Sequence, residues 1–181
     1  MLHWGRDAGG TRFSPLNGIT RANVGRLKEA WRVRIGPTMG LEATPLKVKD
    51  TLYVCNAYND VIALDAETGQ KRWRFNAHVD LDNVPYAVCR GVAYYKVPGA
   101  SGLCSERIIT NTIDARLIAL DSASGRPCPG FGERGQVSLL PGLAPQNTSF
   151  YAVTSAPTVI RGKVVLGGWV SDGMRWGEPA G

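Results

Sequence analysis

The chain has 181 residues, 44% hydrophobic and 20% charged, with 22 glycines and 11 prolines; this balance fits one globular domain and excludes a low-complexity or disordered chain. No apolar run approaches the roughly 18 residues that cross a bilayer, and residues 1–15 lack the apolar core of an export signal. The net charge of +6 is spread over scattered cations such as Arg21, Arg26, Lys28, Lys71, Arg72 and Arg74, with no basic run interleaved with aromatics, so no nucleic-acid partner is expected.

In chain order, residues 20–31 carry the only helical spacing and predict one helical turn before a strand over 30–35. Residues 51–55 and 60–64 are short runs of β-branched and aromatic residues between turn formers, which predicts strands. Between them and the next strand lies Asp65-Ala66-Glu67-Thr68-Gly69. This reads as a tight turn in which Asp65 bonds nearby backbone amides and Gly69 takes positive φ. Trp73 then falls on the following strand. Residues 107–112 and 116–120 repeat the strand pair, Ser124-Gly125 repeats the turn, and Phe131 is expected where Trp73 stood. A third unit supplies strands over 155–160 and 163–168.

The repeat is explicit. Ala63-Leu64-Asp65-Ala66-Glu67-Thr68-Gly69 returns as Ala119-Leu120-Asp121-Ser122-Ala123-Ser124-Gly125, 56 residues later. Thr44-Pro45-Leu46-Lys47-Val48-Lys49-Asp50 is echoed by Ala156-Pro157-Thr158-Val159-Ile160-Arg161-Gly162, at twice that distance. Four short strands per unit at such a period indicate an all-β fold, a partial β-propeller of about three blades. The expected division is 1–40 for the lead-in segment and first strand, 41–75 for the first blade, 76–131 for the second, and 132–181 for an incomplete third. Closing a propeller takes about four to eight blades, so the chain is expected to be the N-terminal part of a larger domain. The cysteines Cys55, Cys89, Cys104 and Cys128 contain no CxxC pair and fit no zinc spacing. Spacing leaves two readings open, buried free thiols or two disulfides.

Longer motifs then point to a family. Trp4-Gly5-Arg6-Asp7, Thr11-Arg12-Phe13-Ser14-Pro15-Leu16, Asn23-Val24-Gly25-Arg26-Leu27, Glu42-Ala43-Thr44-Pro45-Leu46 and the Ala-Leu-Asp turns with Trp73 resemble pyrroloquinoline-quinone (PQQ) dehydrogenases. Cys89-Arg90-Gly91-Val92-Ala93-Tyr94 and Thr154-Ser155-Ala156-Pro157 resemble the membrane-bound glucose dehydrogenase branch. The resemblance implies an eight-bladed propeller holding PQQ beside a divalent metal, Ca2+ or Mg2+. It implies Glu42, Arg90 and Thr154 as cofactor contacts, with Trp169 in the same lining, and Asp172 as a metal ligand. A guanidinium fork suits a PQQ carboxylate, and carboxylates suit hard cations. Gly173 stands where the glucose branch often has a second, asparagine ligand, and Tyr86 where glucose-oxidising relatives carry histidine, a hint of another polyol or a sugar acid. His3 and His78 are isolated and read as solvated or structural.

The implied function is oxidation of a sugar or polyol, glucose to gluconolactone first, with electrons passed to ubiquinone. Quinate or another polyol is the alternative substrate, and a non-catalytic propeller scaffold the alternative class. The implied location is the periplasm, anchored to the inner membrane through parts outside this chain. No catalytic base is assigned within residues 1–181, so the chain alone is expected to be inactive. In the exported protein Cys104 is expected to pair with Cys128, because a hairpin folds those positions together; Cys55 with Cys89 is the remaining pair.

Overall fold

The computed structural model describes residues 7, 9–36, 42–82, 87–143 and 151–168. Four strands, β1 (Leu46–Val48), β2 (Thr51–Cys55), β3 (Val61–Asp65) and β4 (Lys71–Phe75), pair antiparallel in chain order as one sheet. A second meander repeats it with β5 (Ala93–Lys96), β6 (Glu106–Asn111), β7 (Arg116–Asp121) and β8 (Gln136–Ser138). The hairpin of β9 (Thr158–Ile160) and β10 (Lys163–Val165) follows. This is the strand order of consecutive propeller blades.

The middle strands β3 and β7 are buried nearly end to end, because both of their faces are covered. On one face of the first sheet, Cys55, Val61 and Ala63 pack with Val92, Ile108, Ile118 and Leu120 of the second unit. On the other, Val54, Ile62 and Leu64 pack against Trp31, Val33 and Ile35. The second sheet meets the hairpin through Ala93, Ile109 and Leu117 against Val159, Val164 and Leu166. The outer strands β4 and β8 are mostly exposed.

The single helical turn expected within residues 20–31 is present as a 3-10 turn, Val24–Arg26. Two expectations need correction. Residues 30–35 belong to no strand ladder among the described residues. Their alternation is real, with Trp31, Val33 and Ile35 turned to the first sheet, but side-chain packing on a sheet face does not supply an edge to pair with. Phe131 is not on the outer strand of the second sheet. Cys128 N–H and Gly135 C=O take the ladder positions of Ala119, residues 129–134 loop out between them, and β8 begins only at Gln136. Phe131 packs instead on Cys104, Ala119 and Cys128.

The repeated turns form as the residues dictate. Asp65 Oδ1 accepts from the amides of Glu67 and Thr68 at 3.0 and 2.8 Å and from the Thr68 hydroxyl at 2.9 Å. Asp121 Oδ1 accepts from the Ser124 amide and hydroxyl at 2.9 and 2.7 Å. Gly69 and Gly125 both have φ 72°. Each glycine also lies under an indole: a Cβ on Gly69 would stand 2.6 Å from Trp31, and one on Gly125 would stand 2.5 Å from Trp73. Trp73 Nε1 and the Tyr53 hydroxyl both donate to the Ser122 carbonyl, at 3.1 and 3.0 Å, which ties the first sheet to the turn of the second.

Both expected disulfides are present. Cys104 and Cys128 have Cα atoms 5.7 Å apart, Cys55 and Cys89 6.0 Å, inside the range that a bridge requires.

The turn aspartates are expected to make the fold acid-sensitive. The Arg72 guanidinium and the Thr68 amide hold the Asp65 carboxyl far below its ordinary range. Burial pushes Asp121 upward, but the Cys104 amide and the Ser124 bonds outweigh it, leaving that carboxyl also depressed. A depressed native pKa stabilises the fold fully above the unfolded value, about 3.8, and the contribution disappears as pH falls through the native value. The urea midpoint of the protein is therefore expected to drop between pH 5 and pH 3. An Asp65→Asn, Asp121→Asn double variant should show a smaller drop; an equal drop would assign the acid sensitivity elsewhere.

Candidate functional site

Three of the residues singled out from the sequence meet at one point. Glu42 lies four residues before β1, Arg90 three before β5, and Thr154 four before β9. Each therefore stands where the chain arrives at the inner strand of a successive unit, and stacking the units brings these arrivals together. Arg90 Nε donates to Glu42 Oε2 at 3.1 Å, and Arg90 Nη1 donates to Thr154 Oγ1 at 2.6 Å. The Arg90 and Glu42 side chains remain 43% and 44% exposed, so the cluster is open at the surface rather than sealed in the core.

The backbone beneath is fixed on several sides. Thr44 N–H donates to the Arg90 carbonyl at 3.1 Å. Gly91 follows with φ 153°, a conformation that side chains disfavour, and a Cβ there would stand 3.4 Å from Ala156 Cβ and 3.5 Å from the Thr44 carbonyl. Asn59 Nδ2 donates to the Val88 carbonyl at 2.9 Å, while its Oδ1 accepts from Ile113 N–H at 2.9 Å. Asn111 Nδ2 donates to the Val153 carbonyl at 2.6 Å, immediately before Thr154. Thus a buried asparagine of each unit, Asn59 in the β2–β3 connection and Asn111 at the end of β6, suspends the segment that carries a cluster residue in the next unit.

Sequence reasoning missed Asn59 and Asn111. Tyr58-Asn59-Asp60 looks like any solvated turn, and Asn111 looks like a strand end; the one available signal was a polar residue closing an otherwise apolar strand. Trp169 and Asp172, together with Tyr86, Gly173 and His3, lie outside the described residues. His78 is exposed at a turn, with its carbonyl accepting from Arg116. Among the described residues no group of three or more His, Cys, Asp or Glu side chains could hold a metal ion, and no helix is long and apolar enough to cross a membrane.

The cluster has a defined chemistry. A guanidinium carries five N–H donors, of which Nε and Nη1 each make one bond to a protein oxygen. The fork at the rim suits a planar carboxylate. Glu42 offers acceptor oxygens and Thr154 a hydroxyl of either sense. This set fits a polar ligand that bears a carboxylate and a hydrogen-bond donor.

Comparison with known proteins gives the family. The family described as "PQQ: Glucose/ethanol/alcohol dehydrogenase, beta-propeller domain" matches residues 2–181. The glycerol dehydrogenase large subunit of Gluconobacter thailandicus is 43% identical over 189 residues, which is 98% of this chain and 26% of that protein. The quinoprotein glucose dehydrogenase of Escherichia coli (strain K12) is 34% identical over 193 residues, 98% of this chain and 24% of that protein. The solved quinohemoprotein alcohol dehydrogenase from Comamonas testosteroni superposes with a TM-score of 0.77 at 32% identity, covering 93% of this chain and 23% of that one. The chain spans about a quarter of the length of these relatives. A match over residues 2–181, on consecutive four-stranded meanders with the same turn, decides the family: the chain belongs to the PQQ glucose/ethanol/alcohol dehydrogenase β-propeller family.

Proposed function

We propose that the protein carrying this chain is a PQQ-dependent dehydrogenase of polyols, and that Glu42, Arg90 and Thr154 form part of its cofactor rim. The observation that carries this reading is the meeting of three residues, 48 and 64 positions apart in sequence, on one guanidinium. PQQ is a fused pyrrole and quinoline bearing carboxylates, so it brings anionic forks for Arg90 and Thr154 and a pyrrole N–H for an acceptor such as Glu42. When bound, the quinone supplies the two-electron acceptor for alcohol oxidation. The work of these residues is to bind and orient; no base is assigned among residues 1–181. Trp169 is assigned to the same lining and Asp172 to a divalent metal, Ca2+ or Mg2+, both on the sequence resemblance. Electron transfer to ubiquinone, in the periplasm and at the inner membrane, belongs to the same proposal.

A polyol is preferred to glucose as substrate, since the glycerol dehydrogenase is 43% identical and the glucose dehydrogenase 34%. The full-length protein, reconstituted with PQQ and calcium, should reduce dye with glycerol at a kcat/KM about tenfold above glucose or quinate, equivalent to about 1.4 kcal/mol of transition-state discrimination. A preference for glucose or quinate would replace the substrate assignment; turnover independent of PQQ would remove the functional one.

A further inference from the structure

We infer that the Cys55–Cys89 disulfide is a positioning element for Arg90, holding its guanidinium in the arrangement that receives a cofactor carboxylate. The inference rests on the cofactor reading of Arg90 given above. Residues 88–90 cross from the first sheet to the second, outside the strands of both four-stranded meanders, with Cys89 in an isolated β-bridge. Here three successive residues are each attached to the first unit by a different device. The Val88 carbonyl accepts from Asn59 Nδ2 at 2.9 Å, Cys89 is bonded to Cys55 at the end of β2, and the Arg90 carbonyl accepts from Thr44 N–H at 3.1 Å. Of the three, only the disulfide is covalent, and it joins the residue immediately before Arg90. Both cysteines are buried, at 0% and 4% exposure, so the anchor lies beneath the surface on which Arg90 is displayed.

The other bridge provides the contrast. Cys104 and Cys128 join the approach to β6 and the stretch after β7, both in the second unit, and neither is adjacent to a cluster residue. The two bridges close loops of similar length, with sequence separations of 34 and 24, so a purely structural role would make their removal alike. A positioning role makes it unlike, because misplacing a charged fork by an ångström is costly to the interaction it makes.

The test uses the full-length apo protein and equilibrium titration with PQQ, read by quenching of tryptophan fluorescence rather than by activity. Cys55→Ala with Cys89→Ala should raise the Kd by about tenfold, while Cys104→Ala with Cys128→Ala leaves it within about twofold. In an Arg90→Ala background, removing the Cys55–Cys89 bridge should add nothing, as a shared pathway requires. Equal weakening by both bridge removals, or full additivity with Arg90→Ala, would show generic loosening and overturn the inference. If Arg90→Ala weakens binding while loss of the Cys55–Cys89 bridge does not, the positioning role fails and the cofactor reading stands. Should Arg90→Ala itself leave the Kd unchanged, the cofactor reading fails and takes the inference with it. If Cys55→Ala with Cys89→Ala does not fold, Cys55→Val with Cys89→Ala restores apolar volume. Failure of both to fold, while the other bridge is dispensable, would make the bond a folding constraint and reject the positioning role.

Discussion

Arg90→Ala is expected to weaken PQQ binding to the full-length apo protein by about 30- to 100-fold, while its melting temperature stays within a degree or two. The two effects separate because they have different physical origins. In the free protein, Arg90 pairs with Glu42 at 3.1 Å with both side chains nearly half exposed, and such a pair contributes about 0–1 kcal/mol to folding. Against a bound carboxylate the same guanidinium would be shielded from water by the ligand itself. Removing a charge-assisted hydrogen bond from such a shielded setting costs about 2–3 kcal/mol, which corresponds to that weakening at about 1.4 kcal/mol per tenfold. Arg90→Lys keeps the charge but not the planar fork, and should fall between wild type and alanine. Thr154→Ala removes one hydroxyl partner and should cost about 1 kcal/mol. Titration by fluorescence quenching, with a thermal melt of each apo variant, checks the set. An unchanged Kd for Arg90→Ala would sink the assignment of this cluster to the cofactor.

The elements legible in the sequence were those encoded locally. Thr51–Cys55 announces itself by five strand-forming residues between turn formers, and Asp65 to Gly69 by a side chain that accepts from the amides two and three residues on. The Cys104–Cys128 pair followed from a hairpin that folds the two positions together. What failed depended on partners that local pattern does not name. Residues 30–35 alternate like a strand, yet alternation records which face is covered and not whether an edge is available to pair. Phe131 was displaced by an excursion in which Cys128 and Gly135 occupy the ladder beside Ala119. At the site, Glu42, Arg90 and Thr154 each look like an ordinary residue ahead of a strand, and only the family resemblance singled them out. Asn59 and Asn111 were invisible for a related reason. An asparagine that bonds a carbonyl of the next unit has the same local sequence as one that faces water.

Gly125→Ala should lower stability by about 2–5 kcal/mol, a large effect for one added methyl group. Two costs combine. Gly125 has φ 72°, where a side chain costs roughly 1–2 kcal/mol. The methyl would also stand 2.5 Å from the Trp73 ring, and overpacking of this kind costs about 1–3 kcal/mol. The indole has little freedom to withdraw, because its Nε1 is bonded to the Ser122 carbonyl at 3.1 Å and its ring packs beside Tyr53, with centroids 5.8 Å apart. Moving it would strain the same junction from the other side. The two costs are separable by a double-mutant cycle. In a Trp73→Ala background the steric part vanishes, and Gly125→Ala should then cost only the backbone share of about 1–2 kcal/mol. Urea-unfolding midpoints of the four proteins measure this directly. If Gly125→Ala costs as much without Trp73 as with it, the indole does not press on the turn.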